Sequence, residues 1–319
     1  MKRKLKIFIA GHNGMLGSTI LQILKSNRNV KVYTKNKKDL NLLNQTDVNI
    51  FLKKNKFDHL YLCAARVGGI MANKNYPANF IYENLTIQTN IIHASFVSKV
   101  KRLIFIGSTC VYPKHAKQPL NEESLLSSYL EESNEPYAIS KIAGIKMCES
   151  YNRQFNTDFR SVMPSNMYGV GDSFDLEKSH VISALIKKFH EGKINNKKEI
   201  TLWGTGKPIR EFLYIKDAAE ICIKIMNAKK KLINEITTPQ LSHINIGTGK
   251  GISINNLAKK ISRIVDFKGK IFFNSKYPDG HPIKVANIKK QKYLGCRAKT
   301  SLEKGLRETY KYFLSKEIK

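Results

Sequence analysis

Tyr137 and Lys141 stand four residues apart in Tyr-Ala-Ile-Ser-Lys, one turn along a single helical face. An ammonium beside a phenol favours the phenolate and lowers its pKa. A tyrosine tuned in that way exchanges a proton with a carbonyl or hydroxyl oxygen while hydride moves at the adjoining carbon. Upstream, Ser108 closes an apolar run in Gly107-Ser108-Thr109-Cys110. Near the N-terminus, Gly11-His12-Asn13-Gly14-Met15-Leu16-Gly17 spaces three glycines as G-x-x-G-x-x-G directly after Lys6-Ile7-Phe8-Ile9-Ala10. Such glycines permit a tight turn and let a pyrophosphate reach the backbone, and the following helix N-terminus offers N–H donors and partial positive charge. These groups suit hydride transfer with a dinucleotide.

The elements that must position them alternate. Lys6–Ala10, Asn29–Thr34, His59–Ala64, Leu103–Gly107 and Phe159–Met163 read as strands, with helical windows at Met15–Ser26, Asp47–Lys54, Asn79–Ser98 and Tyr137–Phe155. Nearly continuous apolar strands between helices predict a doubly wound parallel sheet of Rossmann type, covered on both faces. Ser108 then falls at the carboxyl edge of the sheet, where such folds bind ligands. The second half is less regular and holds turns such as Trp203-Gly204-Thr205-Gly206 and Tyr277-Pro278-Asp279-Gly280. It reads as a smaller α/β substrate domain. The expected division is 1–169 with 212–240 for the dinucleotide domain, and 170–211 with 241–319 for the smaller one. After the second strand comes Tyr33-Thr34-Lys35-Asn36-Lys37-Lys38, with no acid before Asp39. An acid there would hold the ribose 2′-hydroxyl of NAD; lysines suit a 2′-phosphate, so NADPH/NADP+ is the expected cofactor.

The 319 residues carry 55 Lys and Arg against 25 Asp and Glu, a net charge of +30. Only ten of the basic residues are arginine, the side chain preferred for planar recognition of phosphate and bases. The lysines are spread along the whole chain, which argues for solvated faces and against a nucleic-acid partner, although the field attracts small anions. No apolar run reaches membrane-spanning length. The basic start Met1-Lys2-Arg3-Lys4-Leu5-Lys6 is followed by an apolar stretch too short for a signal-peptide core. Five cysteines without a C-x-x-C pair predict free thiols in a reducing, cytoplasmic compartment and no metal site.

A glycine loop, a strand-end serine and Tyr-x-x-x-Lys in this order resemble the extended short-chain dehydrogenase/reductase family, whose members modify nucleotide-linked sugars. Further segments narrow the resemblance to the GDP-L-fucose synthases. They are Ala65-Arg66-Val67-Gly68-Gly69-Ile70, Gly107 through Pro113, Asn134 through Gly144, Val162-Met163-Pro164, Ser179-His180-Val181-Ile182, Trp203-Gly204-Thr205-Gly206 with Arg210-Glu211-Phe212, and Pro278-Asp279-Gly280. The resemblance implies epimerisation of a GDP-4-keto-6-deoxy-hexose at C3 and C5, then reduction at C4 by NADPH. It assigns Tyr137 as the acid on the C4 oxygen, Lys141 as its tuner and holder of the nicotinamide ribose, and Ser108 as a hydrogen-bonding partner of that oxygen. Cys110 and His180 would be the epimerising base and acid. The implied cofactor contacts are Gly11, Asn13, Gly14, Met15, Leu16, Lys35, Asp39, Leu40, Ala64, Ala65, Tyr137, Lys141, Pro164, Asn166, Met167 and His180. Lys188 and Arg210 would meet the diphosphate, Trp203 the base or ribose region, and Asp279 the ribose. Members usually dimerise through two helices, here 79–98 and 137–155.

This chain departs from the family pattern at several places. Asn13 stands where arginine often touches the 2′-phosphate. Ser183 stands where proline is common, Lys187-Lys188 replaces an arginine pair, and Ser165 replaces threonine. These changes lie around the sugar and phosphate pockets. The neighbouring alternative is therefore a C4 reductase of a GDP-4-keto-heptose in capsule or surface-glycan synthesis, with epimerisation done by a separate enzyme. A 4,6-dehydratase would carry an Asp-Glu pair where this chain has Thr109-Cys110. A basic anion-binding module on the same scaffold, or a non-catalytic subunit, would not need Ser108, Tyr137 and Lys141 together.

Overall fold

The computed structural model describes residues 3–175, 180–277, 279 and 281–317. Of the residues singled out above, Met1, Lys2, Ser179, Pro278 and Gly280 lie outside these. Six parallel strands form the central sheet: β1 (Leu5–Ala10), β2 (Val30–Tyr33), β3 (His59–Leu62), β4 (Arg102–Ile106), β5 (Phe159–Pro164) and β9 (Ile244–Ile246), in the order β2-β1-β3-β4-β5-β9. The strand order reverses between β1 and β3, the two strands running parallel, which opens a crevice at the carboxyl edge beside the glycine loop.

Alternation along each strand serves two cores. Phe8 and Ala10 face one way with Leu60, Leu103 and Phe105, covered by α2 (Gln45–Asn55), α4 (Pro77–Val97) and α5 (Glu135–Phe155). Ile7 and Ile9 face the other way with Tyr61, Ile104 and Val162, covered by α1 (Met15–Lys25) and α7 (Ile215–Asn227). Burial on both faces explains why these strands read as continuous apolar runs. α1 starts at Met15 as predicted, and α2, α4 and α5 each start two residues before their predicted windows. Asn44 caps α2 by accepting from the Asp47 N–H, and Pro136 is the second residue of α5, so Tyr137 sits in its first turn.

The smaller sheet is mixed. β8 (Ile209–Tyr214) pairs with β6 (Asn166–Tyr168) and β12 (Ile283–Lys284) in parallel and with β10 (Gly251–Ser253) antiparallel. β7 (Glu199–Trp203) and β11 (Lys270–Asn274) form a separate parallel pair. With α6 (Val181–Ile194), α9 (Ile254–Val265) and α11 (Leu302–Glu317), these strands enclose a third core around Phe189, Phe212, Ile261 and Phe313. Two strands run differently from the division expected. β8 continues in this sheet past residue 212, and β9, from the stretch assigned to the smaller domain, joins the large sheet because its three buried residues register with Val162–Pro164.

Candidate active site

β1 ends at Ala10, and Gly11 turns the chain with φ +90°. A Cβ there would stand 2.5 Å from the Ala64 backbone nitrogen, and one on Gly17 would strike the Gly11 carbonyl oxygen. These two glycines bring α1 tight against the sheet. Gly14 differs: a Cβ would meet only the Gly11 oxygen at 3.5 Å, so its surroundings are open. Gly14 is the extended N-cap of α1, with no side-chain cap and no acid in the first turn. The backbone N–H groups at Met15 and Leu16 are thus kept for an anion. These residues fit the pyrophosphate of a dinucleotide.

Around this loop, Asn13 donates its side-chain amide to Asn36 Oδ1 at 3.1 Å, linking the glycine turn to the stretch after β2. Lys35 and Asp39 are exposed there, while Leu40 is buried. Ala64 and Ala65 follow β3, and Pro164 closes β5 at the same edge. The Asn166 amide donates to the Glu211 carbonyl on β8 at 2.9 Å, and half-buried Met167 packs beside the second core.

The five expected catalytic side chains converge beyond β4. Gly144 lets α5 approach β4 closely, because a Cβ there would strike the Phe105 ring. Lys141 is thereby buried, donates to the Ile106 carbonyl at 2.9 Å, and lies 5.7 Å from the Tyr137 ring. Burial lowers its pKa to about 8. The Tyr137 phenol is not depressed as the spacing predicted. Burial pushes it up, the negative charge of Cys110 adds to this, and only the Ser108 hydrogen bond opposes. The Lys141 ammonium donates to a strand-end carbonyl and not to the phenol, so it gives no hydrogen bond that would offset the burial.

Ser108 is extended and accepts from the Cys110 N–H at 3.2 Å, so it touches both Tyr137 and Cys110. Burial would raise the Cys110 thiol. The Lys284 ammonium, 3.1 Å from Sγ, outweighs it with help from Ser108 and His180, and the pKa falls below the ordinary thiol value. Asn134 donates to the same sulfur at 3.5 Å. His180 is the N-cap of α6, and its pKa is raised by Asp172, against burial. The sequence reading missed Lys284, Asn134 and Asp172. Asn134 lay within a recognised segment, whereas Lys284 was hidden by the lysine-rich composition.

Toward the second sheet, Lys188 donates to the Thr201 carbonyl at 2.6 Å, and burial lowers its pKa. Arg210 hydrogen-bonds its neighbour Ile209 O at 2.9 Å and feels the charges of both Asp279 and Cys110. Asp279 accepts from Thr205 at the backbone N–H (2.9 Å) and the hydroxyl (2.6 Å), so both its oxygens are engaged. Trp203 is 63% exposed and stacks on Tyr277, centroids 4.6 Å apart and 13° from parallel. The indole is not packed into a core and offers a face to solvent.

Known proteins resemble this chain along nearly its whole length. The model of the NAD dependent epimerase/dehydratase family matches residues 7–247. GDP-L-fucose synthase of Escherichia coli (strain K12) is 47% identical over 314 residues, covering 98% of each chain. GDP-L-colitose synthase of Yersinia pseudotuberculosis is 34% identical, covering 98% of this chain and 99% of its own. A solved GDP-mannoheptose C4 reductase from Campylobacter jejuni with NADP bound superimposes with a TM-score of 0.89, at 35% identity over 98% of this chain and 99% of its own. The glycine turn, the strand-end serine and the Tyr-x-x-x-Lys helix thus occur in a chain that belongs to the NAD dependent epimerase/dehydratase family, among the extended short-chain dehydrogenase/reductases.

Proposed function

We propose that this protein is an NADPH-dependent 4-ketoreductase of a GDP-4-keto-6-deoxy sugar that also epimerises C3 and C5, giving GDP-L-fucose or a close analogue. The observation that carries the double activity is Lys284 on Cys110, next to Ser108 and within electrostatic reach of His180. A reductase needs only Ser108, Tyr137 and Lys141. A thiol held below its ordinary pKa by a buried ammonium is suited to removing a proton beside a ketone at neutral pH.

In this reading Ser108 hydrogen-bonds the C4 oxygen and polarises the ketone. Cys110 takes the proton from C3 or C5, and His180, kept protonated by Asp172, returns one to the opposite face. The β1–α1 turn, with the Met15 and Leu16 N–H groups behind Gly14, would hold NADPH, which would provide the hydride for C4. Tyr137 gives its proton to the C4 oxygen, and its raised pKa keeps it loaded as an acid. Arg210 meets the diphosphate, with Lys188 nearby, and Asp279 the ribose; the exposed Trp203 face stands at the nucleoside end. We further propose a cytoplasmic homodimer joined through α4 and α5, which pack together and leave Tyr82, Val97, Ile139 and Phe155 exposed. A monodisperse monomer in sedimentation would exclude it.

A second reading is supported by Ser183 and the Lys187-Lys188 pair near the sugar end. There the chain reduces a GDP-4-keto-heptose and leaves epimerisation to another enzyme. The test uses purified protein, NADPH and GDP-4-keto-6-deoxy-mannose in deuterated water. NADPH oxidation with deuterium at C3 and C5 supports the double activity. Oxidation without that deuterium identifies a C4 reductase. No turnover with NADPH still bound moves the assay to the heptose substrate.

A further inference from the structure

His180 has a support that its own sequence neighbourhood does not suggest. Asp172, in the turn after β6, has a side chain only 5% exposed, and its Oδ1 lies 3.5 Å from His180 Nδ1. The Ser173 N–H donates to the same oxygen at 2.9 Å. The other oxygen, Oδ2, accepts from the Ser183 hydroxyl at 2.6 Å. Ser183 is fully buried, three residues after the His180 cap. It occupies a position where the family pattern has proline, a residue with no side-chain donor. A buried hydroxyl has therefore been set against a buried carboxylate that already serves the imidazole.

We propose that Asp172 and Ser183 are a positioning pair for His180: the carboxylate holds Nδ1 as the donor nitrogen and leaves Nε2 to exchange protons with the sugar, and the Ser183 hydroxyl moderates the carboxylate's pull. The inference rests on the reading of His180 as the epimerising acid. Hydrogen bonding to a carboxylate spreads its charge, so Ser183 weakens the stabilisation of the imidazolium that Asp172 provides. Among the described residues, the charged groups acting on His180 are Asp172 from the β6–α6 segment and Cys110, itself paired with Lys284, from the turn after β4. Both Asp172 and a Cys110 thiolate favour the protonated ring.

The experiment is an NMR titration of the His180 ring protons in the full chain with NADP+ bound, assigned by their loss in His180→Gln. Asp172→Asn is expected to lower the His180 pKa, since the carboxylate's stabilisation of the imidazolium is lost. Ser183→Ala is expected to move it the opposite way, and Ser183→Thr, which keeps the hydroxyl, to restore the wild-type value. An unmoved titration in Asp172→Asn overturns the pair. An unmoved or lowered value in Ser183→Ala overturns the part given to Ser183, and this arm stands even if the Asp172 variant does not fold. The titration needs no turnover: expected changes without deuterium exchange at C3 and C5 would overturn the functional reading and leave the pair standing.

Discussion

Lys284 Nζ lies 3.1 Å from Cys110 Sγ, across 174 residues of sequence. The lysine is only 9% exposed, on a two-residue strand paired with β8. A buried ammonium with a thiol as partner stabilises the thiolate strongly, because little water screens the pair.

Lys284→Met is therefore expected to raise the Cys110 pKa and cut its reactivity. A thiol whose pKa rises by about 1 holds roughly tenfold less thiolate at neutral pH. Iodoacetamide modification at pH 7 should slow in the same proportion. The signal belongs to Cys110, since burial pushes Cys63 and Cys148 each up to about 12 and raises Cys222 and Cys296. An unchanged alkylation rate would show that the ammonium does not govern the thiol.

Gly17→Ala tests the seat of the dinucleotide. The new methyl would meet the Gly11 carbonyl oxygen, which is backbone and has no rotamer to yield. Either α1 lifts from the sheet or the turn widens. The cost is expected at about 1–3 kcal/mol of stability, as for overpacking elsewhere, with a matching loss of NADPH affinity in a fluorescence titration. Gly14→Ala, in open surroundings, should fold normally. Equal melting temperatures for Gly17→Ala and wild type would count against the tight turn.

What the sequence made legible was local. The glycine loop, five of the six strands of the large sheet and the Tyr137–Lys141 helix announce themselves within short windows, whereas β9 did not. Periodicity and turn residues report directly on backbone geometry. Lys284 and Asp172 carry no such signal, because a lysine among many and an acid in a loop gain meaning only when distant strands bring them to a partner. Lys141 shows the converse. Its spacing from Tyr137 was read correctly, yet the ammonium bonds the Ile106 carbonyl, a choice made by how closely Gly144 lets α5 approach β4.

Acid stability should be set by buried histidines. Burial holds His59 down to about 4 and His243 down to about 3, both below the ordinary 6.5. Between pH 6.5 and about 4 the unfolded chain takes up protons at these sites and the folded chain does not. Stability is therefore full above 6.5 and falls as pH drops, by up to about 1.4 kcal/mol per pH unit for each ring. Asp58, held down to about 2, keeps its full contribution above its ordinary 3.8 and loses it only below that value, so it does not blur this window. Thermal midpoints measured from pH 7.5 to 4.5 should decline, and less steeply in His243→Gln. A flat profile would mean that these rings are protonated in the fold.

Tyr137→Phe separates proton donation from binding. The phenol touches Ser108 and meets Phe80 edge-on, with ring centroids 6.3 Å apart, so the phenyl ring keeps its packing. Reduction is expected to fall about 10²–10⁴-fold, the usual worth of a positioned acid, while NADPH binding changes little. Deuterium exchange at C3 and C5 should survive better than reduction, since Cys110 and His180 remain. In the wild type, reduction should also weaken as pH rises through about 8, where Lys141 loses the charge it carries below that value. Steady-state rates from pH 6 to 9.5, with exchange followed in parallel, read both effects. Near-wild-type reduction by the phenylalanine variant would remove Tyr137 from the reaction.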